Sequence, residues 1–188
     1  MQLVIAEKPS VARDLARVLG VPASGRTHFE GAGRAITWCV GHLVELEEPA
    51  AYDGRWKAWR METLPMIPAA FALRPVAQTA AQLRAVCRLL VDPRVREVVN
   101  ACDAGREGEL IFRYVYQVAR SRLPVRRLWI SSLTDDAIRQ GFAALKPGAH
   151  LSHIHRTFHL TGSPEVLNAV AKLQFGVSLQ EIQGAFGH

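Results

Sequence analysis

Short apolar runs alternate with amphipathic stretches along most of the chain. The apolar runs predict strands at residues 2–6, 98–102 and 127–130, and a hairpin at residues 29–40. Apolar positions that recur every three or four residues predict four helices, at residues 11–19, 77–90, 107–121 and 135–145. Ser10 and Thr134 stand where N-caps are expected, and Gly20 stands where the first helix should end.

The alternation of strands and helices indicates an α/β fold, a parallel sheet with helices on both faces. The stretch at residues 45–75 is rich in Pro and Trp and has no clean period, so we expect an ordered excursion from the sheet. The pattern changes after Lys146-Pro147-Gly148. This change predicts a boundary between a first domain, residues 1–149, and a short helical tail, residues 150–188.

The apolar content predicts a stable core without a membrane span. No apolar run approaches the roughly 18 residues that a spanning helix needs, and the chain enters its first strand at Gln2 without a secretory leader. We therefore expect a cytoplasmic protein that does not bind membranes. Cys39, Cys87 and Cys102 lie in apolar runs, which favours buried, reduced thiols over disulfides or a metal site.

The chain is basic, with a formal net charge of +6. A basic excess suits a phosphate-backbone partner, although many proteins without such a partner carry as much charge. The four tryptophans could stack on nucleic-acid bases. Core packing is the favoured interpretation for Trp38 and Trp129, because both fall in strand-like runs, whereas Trp56 and Trp59 lie in the excursion.

Acidic side chains follow two of the predicted strands. Glu7 follows the first strand, Asp103 follows the run at residues 98–102, and Glu107 opens the next helix. Ligands of an open α/β sheet bind at the carboxyl ends of its strands, and carboxylates gathered there suit Mg2+. If the two strands are neighbours, the three acids form one Mg2+ site, in which Glu7 could also act as a general acid or base.

Polar side chains near these acids suit a phosphate ligand. Lys8 and Arg106 supply positive charge that could stabilise a phosphoryl-transfer transition state. Ser131 and Ser132 lie at a strand end, where they could hydrogen-bond a phosphate or simply end the strand. Ordinary interpretations stay open: Glu7 as a surface residue, and a structural cluster in which Arg106 pairs with an acid.

Four segments, in this order, resemble the N-terminal Toprim domain of type IA DNA topoisomerases, specifically the topoisomerase III branch. They are residues 4–10 (VIAEKPS), 37–43 (TWCVGHL), 103–109 (DAGREGE) and 131–138 (SSLTDDAI), with further similarity across residues 52–71. The resemblance runs from Met1 to about Pro147. It implies a Rossmann-like sheet and an ATP-independent isomerase that cleaves and religates one DNA strand.

The resemblance also implies roles for individual residues. Glu7 matches the acid at the cleavage centre, and Lys8 matches a lysine near the scissile phosphate. Asp103 and Glu107 match the ends of an Asp-x-Asp-x-Glu motif that binds Mg2+. Gly105 stands at the middle acidic position of that motif, so one carboxylate is missing and weaker metal binding is expected.

In this family, DNA is cleaved by a tyrosine of a later domain. Tyr52, Tyr114 and Tyr116 do not lie in the sequence context of that tyrosine. The chain is therefore expected to bind Mg2+ and single-stranded DNA but to be inactive alone, unless another chain supplies the missing domains. Two other hypotheses stay open: a stand-alone Toprim nuclease or primase-like protein, and a non-catalytic DNA-binding remnant.

The tail has a resemblance of its own. Residues 176–188, which end in Gly187-His188, are faintly similar to the catalytic domain of tyrosine recombinases. A gene truncated by a mobile element would explain this similarity, and an ordinary helical tail explains the sequence equally well.

Overall fold

The computed structural model describes residues 1–148. Five α-helices in this part of the chain, α1 to α5, span Pro9–Val18, Pro49–Tyr52, Ala80–Leu90, Arg106–Val118 and Asp135–Ala143. Eight strands in the same part, β1 to β8, span Gln2–Ala6, His28–Gly31, Arg34–Trp38, Val44–Leu46, Leu73–Pro75, Glu97–Ala101, Val125–Arg127 and Lys146–Pro147. The predictions for residues 150–188, the helical tail and its recombinase-like segment, lie outside the described residues.

Six strands form one sheet in the order β2-β3-β1-β6-β7-β8. β1 pairs in parallel with β3 and β6, and β6 pairs in parallel with β7, whereas β2 and β8 run antiparallel at the two edges. The predicted α/β class is confirmed. β4 and β5 form a separate antiparallel pair at the two ends of the predicted excursion, which contains more regular structure than its sequence indicated.

Helices cover both faces of the sheet because successive residues of the central strand point to opposite sides. Leu3 and Ile5 of β1 belong to a core that includes residues of α3 and α4. Val4 and Ala6 belong to a second core that includes residues of α1 and α5. All four side chains are fully buried. Burial on both faces holds β1 in one position in the sheet. It therefore also determines where the residues that follow β1 lie.

Local chemistry explains the ends of the helices. α1 begins at Pro9 and not after Ser10 as predicted, because proline suits the first helical position, where its missing N–H needs no partner. Gly20 has a φ of +67°, the left-handed conformation that favours glycine after a helix. Thr134 caps α5 as predicted, since its Oγ1 accepts a hydrogen bond from the Ala137 N–H at 3.4 Å.

The prediction of a strand at residues 127–130 was wrong, because the strand lies earlier in the chain. β7 spans Val125–Arg127 and contains two arginines, so it lacks the apolar pattern by which buried strands are found. Leu128 is buried, but Trp129 is 59% exposed and does not pack in the core as predicted. Trp38 is buried as predicted and packs on Phe29, with ring centroids 4.9 Å apart.

All three cysteines are free thiols, and Cys39 and Cys102 are buried as predicted, while Cys87 is only half-buried. The neighbouring Cys39 thiol, together with burial, raises the pKa of Cys102 well above the usual value for cysteine. This thiol therefore stays protonated behind the site described below. Among residues 1–148, no helix has the length and apolar character needed to cross a membrane.

Candidate active site at the strand ends

The acids that follow β1 and β6 lie side by side. The two strands pair with Ala6 opposite Ala101, so the residues after them emerge at the same edge of the sheet. Glu7 is buried, and its Oε2 accepts a hydrogen bond from the backbone N–H of Asp103 at 3.3 Å. The Lys8 ammonium nitrogen lies 3.5 Å from Glu7 Oε1. The Glu7 carboxylate and the Lys8 ammonium group therefore lie next to Asp103, which is exposed to solvent.

Glu107 does not join this pair. It lies in the first turn of α4 with a 78% exposed side chain, and its Oε1 is 3.8 Å from His42 Nε2. Within residues 1–148, no group of three or more His, Cys, Asp or Glu side chains is arranged to hold a metal ion. Of the three acids expected to hold Mg2+, the structure brings Glu7 to the backbone of Asp103, whereas the Glu107 carboxylate lies beside the His42 imidazole.

Gly105 precedes α4 and Gly108 lies in its first turn, and the fold requires glycine at only one of the two positions. A Cβ atom at Gly108 would overlap the backbone of Asp103, 2.7 Å from its nitrogen, so only glycine lets the helix start pack against this turn. Gly105 precedes α4 in an extended conformation, φ −142° and ψ 177°, which any residue can adopt. No heavy atom lies within 4 Å of a Cβ built at Gly105. The fold therefore has room for an acid at position 105.

The cations of the motif are accessible. Lys8 is 58% exposed at its side chain, and Arg106 is exposed at the first position of α4. Arg106 forms no ion pair with any acid in the part of the chain that the structure describes. The structural interpretation, in which Arg106 pairs with an acid of the cluster, is therefore not supported, and its guanidinium is available to an anion.

A cavity of about 300 Å³ lies beside Asp103. Its apolar wall includes Val11, Leu15 and Leu128, and Ser131 and Ser132 line it together with Asp103. Both serines are exposed. The predicted phosphate-contacting serines and one of the acids thus line the same cavity. This cavity combines polar with apolar side chains, as ligand sites commonly do.

Arg127, whose role was not predicted from the sequence, binds the backbone between β6 and α4 from the interior of the protein. Its side chain is buried, and Nη1 donates hydrogen bonds to the carbonyl oxygens of Asn100 and Cys102, at 3.0 and 2.7 Å. Nη2 donates to the carbonyl oxygen of Asp103 at 2.6 Å. Charge-assisted hydrogen bonds are among the stronger ones in proteins. One guanidinium therefore fixes the backbone that carries the Asp103 carboxylate.

Glu109 balances the charge of this buried arginine. Its Oε2 accepts a hydrogen bond from Asn100 Nδ2 at 2.8 Å and lies 3.5 Å from Arg127 Nε. Its Oε1 accepts a hydrogen bond from Arg113 Nε at 2.6 Å. Asn100, a polar residue inside an apolar run, indicates such a buried polar cluster in the sequence, because a buried amide needs hydrogen-bond partners. Which residues supply them depends on tertiary structure.

The tyrosines of the chain are occupied elsewhere. Tyr116 donates its hydroxyl to the Leu123 carbonyl oxygen at 2.7 Å, and burial raises the pKa of both Tyr114 and Tyr116. The Tyr52 hydroxyl accepts a hydrogen bond from the Ala72 N–H at 2.8 Å. The sequence contains three tyrosines, so none of its phenols lines the acidic strand ends as a nucleophile.

We expect Arg127→Ala to lower the free energy of unfolding by about 3 kcal/mol, because it leaves three carbonyl groups and part of Glu109 without their buried partner. Arg126→Ala is the matched control on the same strand. Its ion pair with Glu97, at 3.7 Å, is partly exposed, and its loss should cost less than about 1 kcal/mol. Urea unfolding measures both values.

Arg127→Lys tests the same arrangement with the charge retained. One ammonium group cannot reproduce the fork of the guanidinium, so this variant should also be less stable than Arg126→Lys. Equal stability of the position 126 and position 127 variants would contradict the assigned role of Arg127.

The chain is similar to known proteins along most of its length. Residues 2–133 match the Toprim domain family, and residues 139–186 match a family of unknown function, DUF6786. The chain is 48% identical over 153 residues to DNA topoisomerase 3 of Bacillus anthracis, covering 81% of this chain and 21% of that protein. It is 52% identical over 145 residues to DNA topoisomerase 3 of Shouchella clausii, covering 77% of this chain and 20% of that protein.

A solved structure supports the fold. Full-length topoisomerase I from Thermotoga maritima matches with a TM-score of 0.51 and 15% sequence identity, over 94% of this chain and 27% of that one. The chain spans about a fifth of the length of the topoisomerase 3 relatives. Because the Toprim match covers more than half of its residues, the chain belongs to the Toprim domain family, and its sequence is similar to the N-terminal region of DNA topoisomerase 3.

Proposed function

We propose that the strand-end site binds a phosphate of single-stranded DNA together with Mg2+, as part of a type IA, topoisomerase III-like cleavage and religation reaction. The observation that carries this proposal is the contact between Glu7 and the Asp103 backbone, with Lys8 3.5 Å from the same carboxylate. A carboxylate and a cation at one edge of a parallel sheet suit phosphoryl transfer. The relatives named DNA topoisomerase 3 supply the reaction class.

In this proposal each strand-end residue has a distinct task. Glu7, buried and close to Lys8, moves a proton to or from the oxygen that leaves or attacks the phosphorus. Lys8 and Arg106 neutralise charge on the phosphate oxygens, since both are exposed. Ser131 and Ser132 donate hydrogen bonds to a neighbouring phosphate from the wall of the cavity beside Asp103.

The donor set suits Mg2+ but predicts weak binding. Glu7 and Asp103 offer hard carboxylate oxygens at neighbouring strand ends, and Mg2+ binds readily through one or two carboxylates while keeping several waters. Gly105 removes one acid of the family motif, and Glu107 faces His42. When bound, the ion neutralises charge on the phosphate. Glu7 and Asp103 are the residues proposed to hold it, and Glu107 completes the family's set if its side chain turns inward.

The nucleophile is proposed to come from outside residues 1–188. The three tyrosines are half-buried or hydrogen-bonded to backbone away from the acids. A type IA reaction therefore needs a tyrosine from a further domain or another chain. The alternative is a nuclease that uses water, and it makes a different prediction, because it needs no partner.

The proposed function predicts that the purified chain neither relaxes nor nicks supercoiled plasmid, with or without Mg2+. Adding a separately prepared topoisomerase 3 fragment that carries the tyrosine domains should give Mg2+-dependent relaxation. Glu7→Gln should abolish that activity. Nicking by the chain alone, lost in Glu7→Gln, would identify the stand-alone nuclease instead, and relaxation that Glu7→Gln leaves intact would contradict the assigned site.

Mg2+ should stabilise the chain through the strand-end acids. At a concentration about ten times the dissociation constant, a ligand adds roughly 1.4 kcal/mol to stability, which thermal unfolding detects as a higher Tm. Glu7→Gln and Asp103→Asn should remove this shift. Asp136→Asn, which changes an 86% exposed acid in α5, is the matched control and should retain it. A shift of equal size in all four proteins would contradict the proposed ligands.

Gly105→Asp should strengthen Mg2+ binding by about tenfold, because it adds a carboxylate to a site with few protein ligands. The extended backbone and the free space at position 105 admit the side chain without strain. Gly105→Asn is the matched control, since Asn caps a helix as well as Asp does but carries no charge. Isothermal titration with MgCl2 separates the two. An equal gain with Asn would show that capping, not ligation, is responsible.

A further inference from the structure

His42 lies in the short connection between β3 and β4, beside the start of α4. The connection is anchored on both sides, since the Cys39 N–H donates to the last carbonyl oxygen of β1 at 2.8 Å and the Leu43 carbonyl oxygen accepts from the Val76 N–H at 3.0 Å. Leu43 is also fully buried. Gly41 has a φ of +74°, a left-handed conformation that favours glycine at this turn. The backbone at His42 therefore has a defined position.

Glu107 is the acid that His42 contacts. The imidazole Nε2 lies 3.8 Å from Glu107 Oε1, and the two side chains are 38% and 78% exposed. Glu107 has no other ion pair or side-chain hydrogen bond with residues 1–148. His42 is therefore the group that favours the observed position of this carboxylate.

The backbone of Glu107 already lies next to the acids that it would join. Glu107 is in the first turn of α4, and a Cβ built at the following residue, Gly108, comes within 2.7 Å of the Asp103 nitrogen. The same nitrogen donates a hydrogen bond to the Glu7 carboxylate. Rotation about its side-chain bonds redirects the Glu107 carboxylate without moving the helix. The observed position and an inward position can therefore exchange through the side chain alone.

We propose that His42 is a positioning residue that holds the Glu107 carboxylate away from the Mg2+ site. Glu107 leaves the imidazole when it joins Glu7 and Asp103 in holding the ion. The inference rests on the proposed function in taking Glu7 and Asp103 as Mg2+ ligands. It adds that the third acid is a ligand whose availability depends on a residue outside the acidic motif.

The exposure of the contact sets the size of the effect. Ion pairs between exposed side chains are weak, so the loss of this one should change Mg2+ affinity by about two- to fivefold and leave the fold intact. The sign of the change separates two roles of the imidazole. A group that competes with the ion for Glu107 weakens Mg2+ binding, whereas a group that supports the ion strengthens it.

Isothermal titration of the full chain with MgCl2 tests the proposal. His42→Ala should tighten Mg2+ binding by about two- to fivefold, because Glu107 then has no competing partner. His42→Gln, whose side-chain amide can still donate to the carboxylate, should stay closer to the unsubstituted protein. Glu107→Gln should weaken binding. His42→Ala combined with Glu107→Gln should bind no better than Glu107→Gln alone, since the carboxylate that His42 holds is gone.

His28→Ala is the matched control. His28 Nε2 lies 3.8 Å from Glu30 Oε2 within the edge strand β2, so this variant removes the same kind of contact at a strand that does not pair with β1 or β6. It should leave Mg2+ affinity unchanged. Circular dichroism melting confirms that each variant is folded.

Unchanged or weaker Mg2+ binding in His42→Ala would overturn the proposal, and weaker binding would show that the imidazole supports the ion. An equal gain in the Glu107→Gln background or in His28→Ala would also overturn it, because the gain would not come from Glu107. Absence of binding in every variant would contradict the Mg2+ site of the proposed function as well. Binding that Glu7→Gln abolishes but His42→Ala leaves unchanged would contradict this inference alone.

Discussion

The position of the strand-end acids depends on the parallel pairing of β1 with β6. β1 is buried on both faces, with Leu3 and Ile5 in one core and Val4 and Ala6 in the other. A shift by one residue would turn each of these side chains to the wrong face, so the register is strongly specified. The register in turn decides that the residues after the two strands emerge together. The proximity of the strand-end acids is therefore a consequence of core packing.

A second constraint acts on the turn that follows β6. Backbone carbonyls that leave a sheet need partners, and here the Arg127 guanidinium supplies three hydrogen bonds from the interior. Burying that charge is costly unless it is paired, and Glu109 pairs it while also bonding Asn100. Because these groups are fixed before any ligand arrives, the Asp103 segment has a defined position at little further cost in conformational entropy. Preorganisation of this kind is what a phosphate site requires.

The elements with a regular spacing of apolar residues could be predicted from the sequence. The two-sided strands and the amphipathic helices were predictable because their residues repeat with a fixed spacing, and the acids could be placed because strand ends follow from those runs. Arg127 and the exposure of Trp129 were not predictable in this way. Each depends on which elements become neighbours. β4 and β5 were missed for a different reason, since three-residue strands have too few positions to show an alternation.

The most direct test is to locate a divalent cation on the folded chain. Mn2+, which accepts the same oxygen ligands as Mg2+, broadens the NMR signals of nearby amides. With substoichiometric Mn2+, the signals of Glu7, Lys8 and the turn from Asp103 to Glu107 should broaden first. Excess Mg2+ should restore them. Broadening that begins elsewhere, or that Glu7→Gln does not reduce, would contradict the claim that these strand ends form one cation and phosphate site.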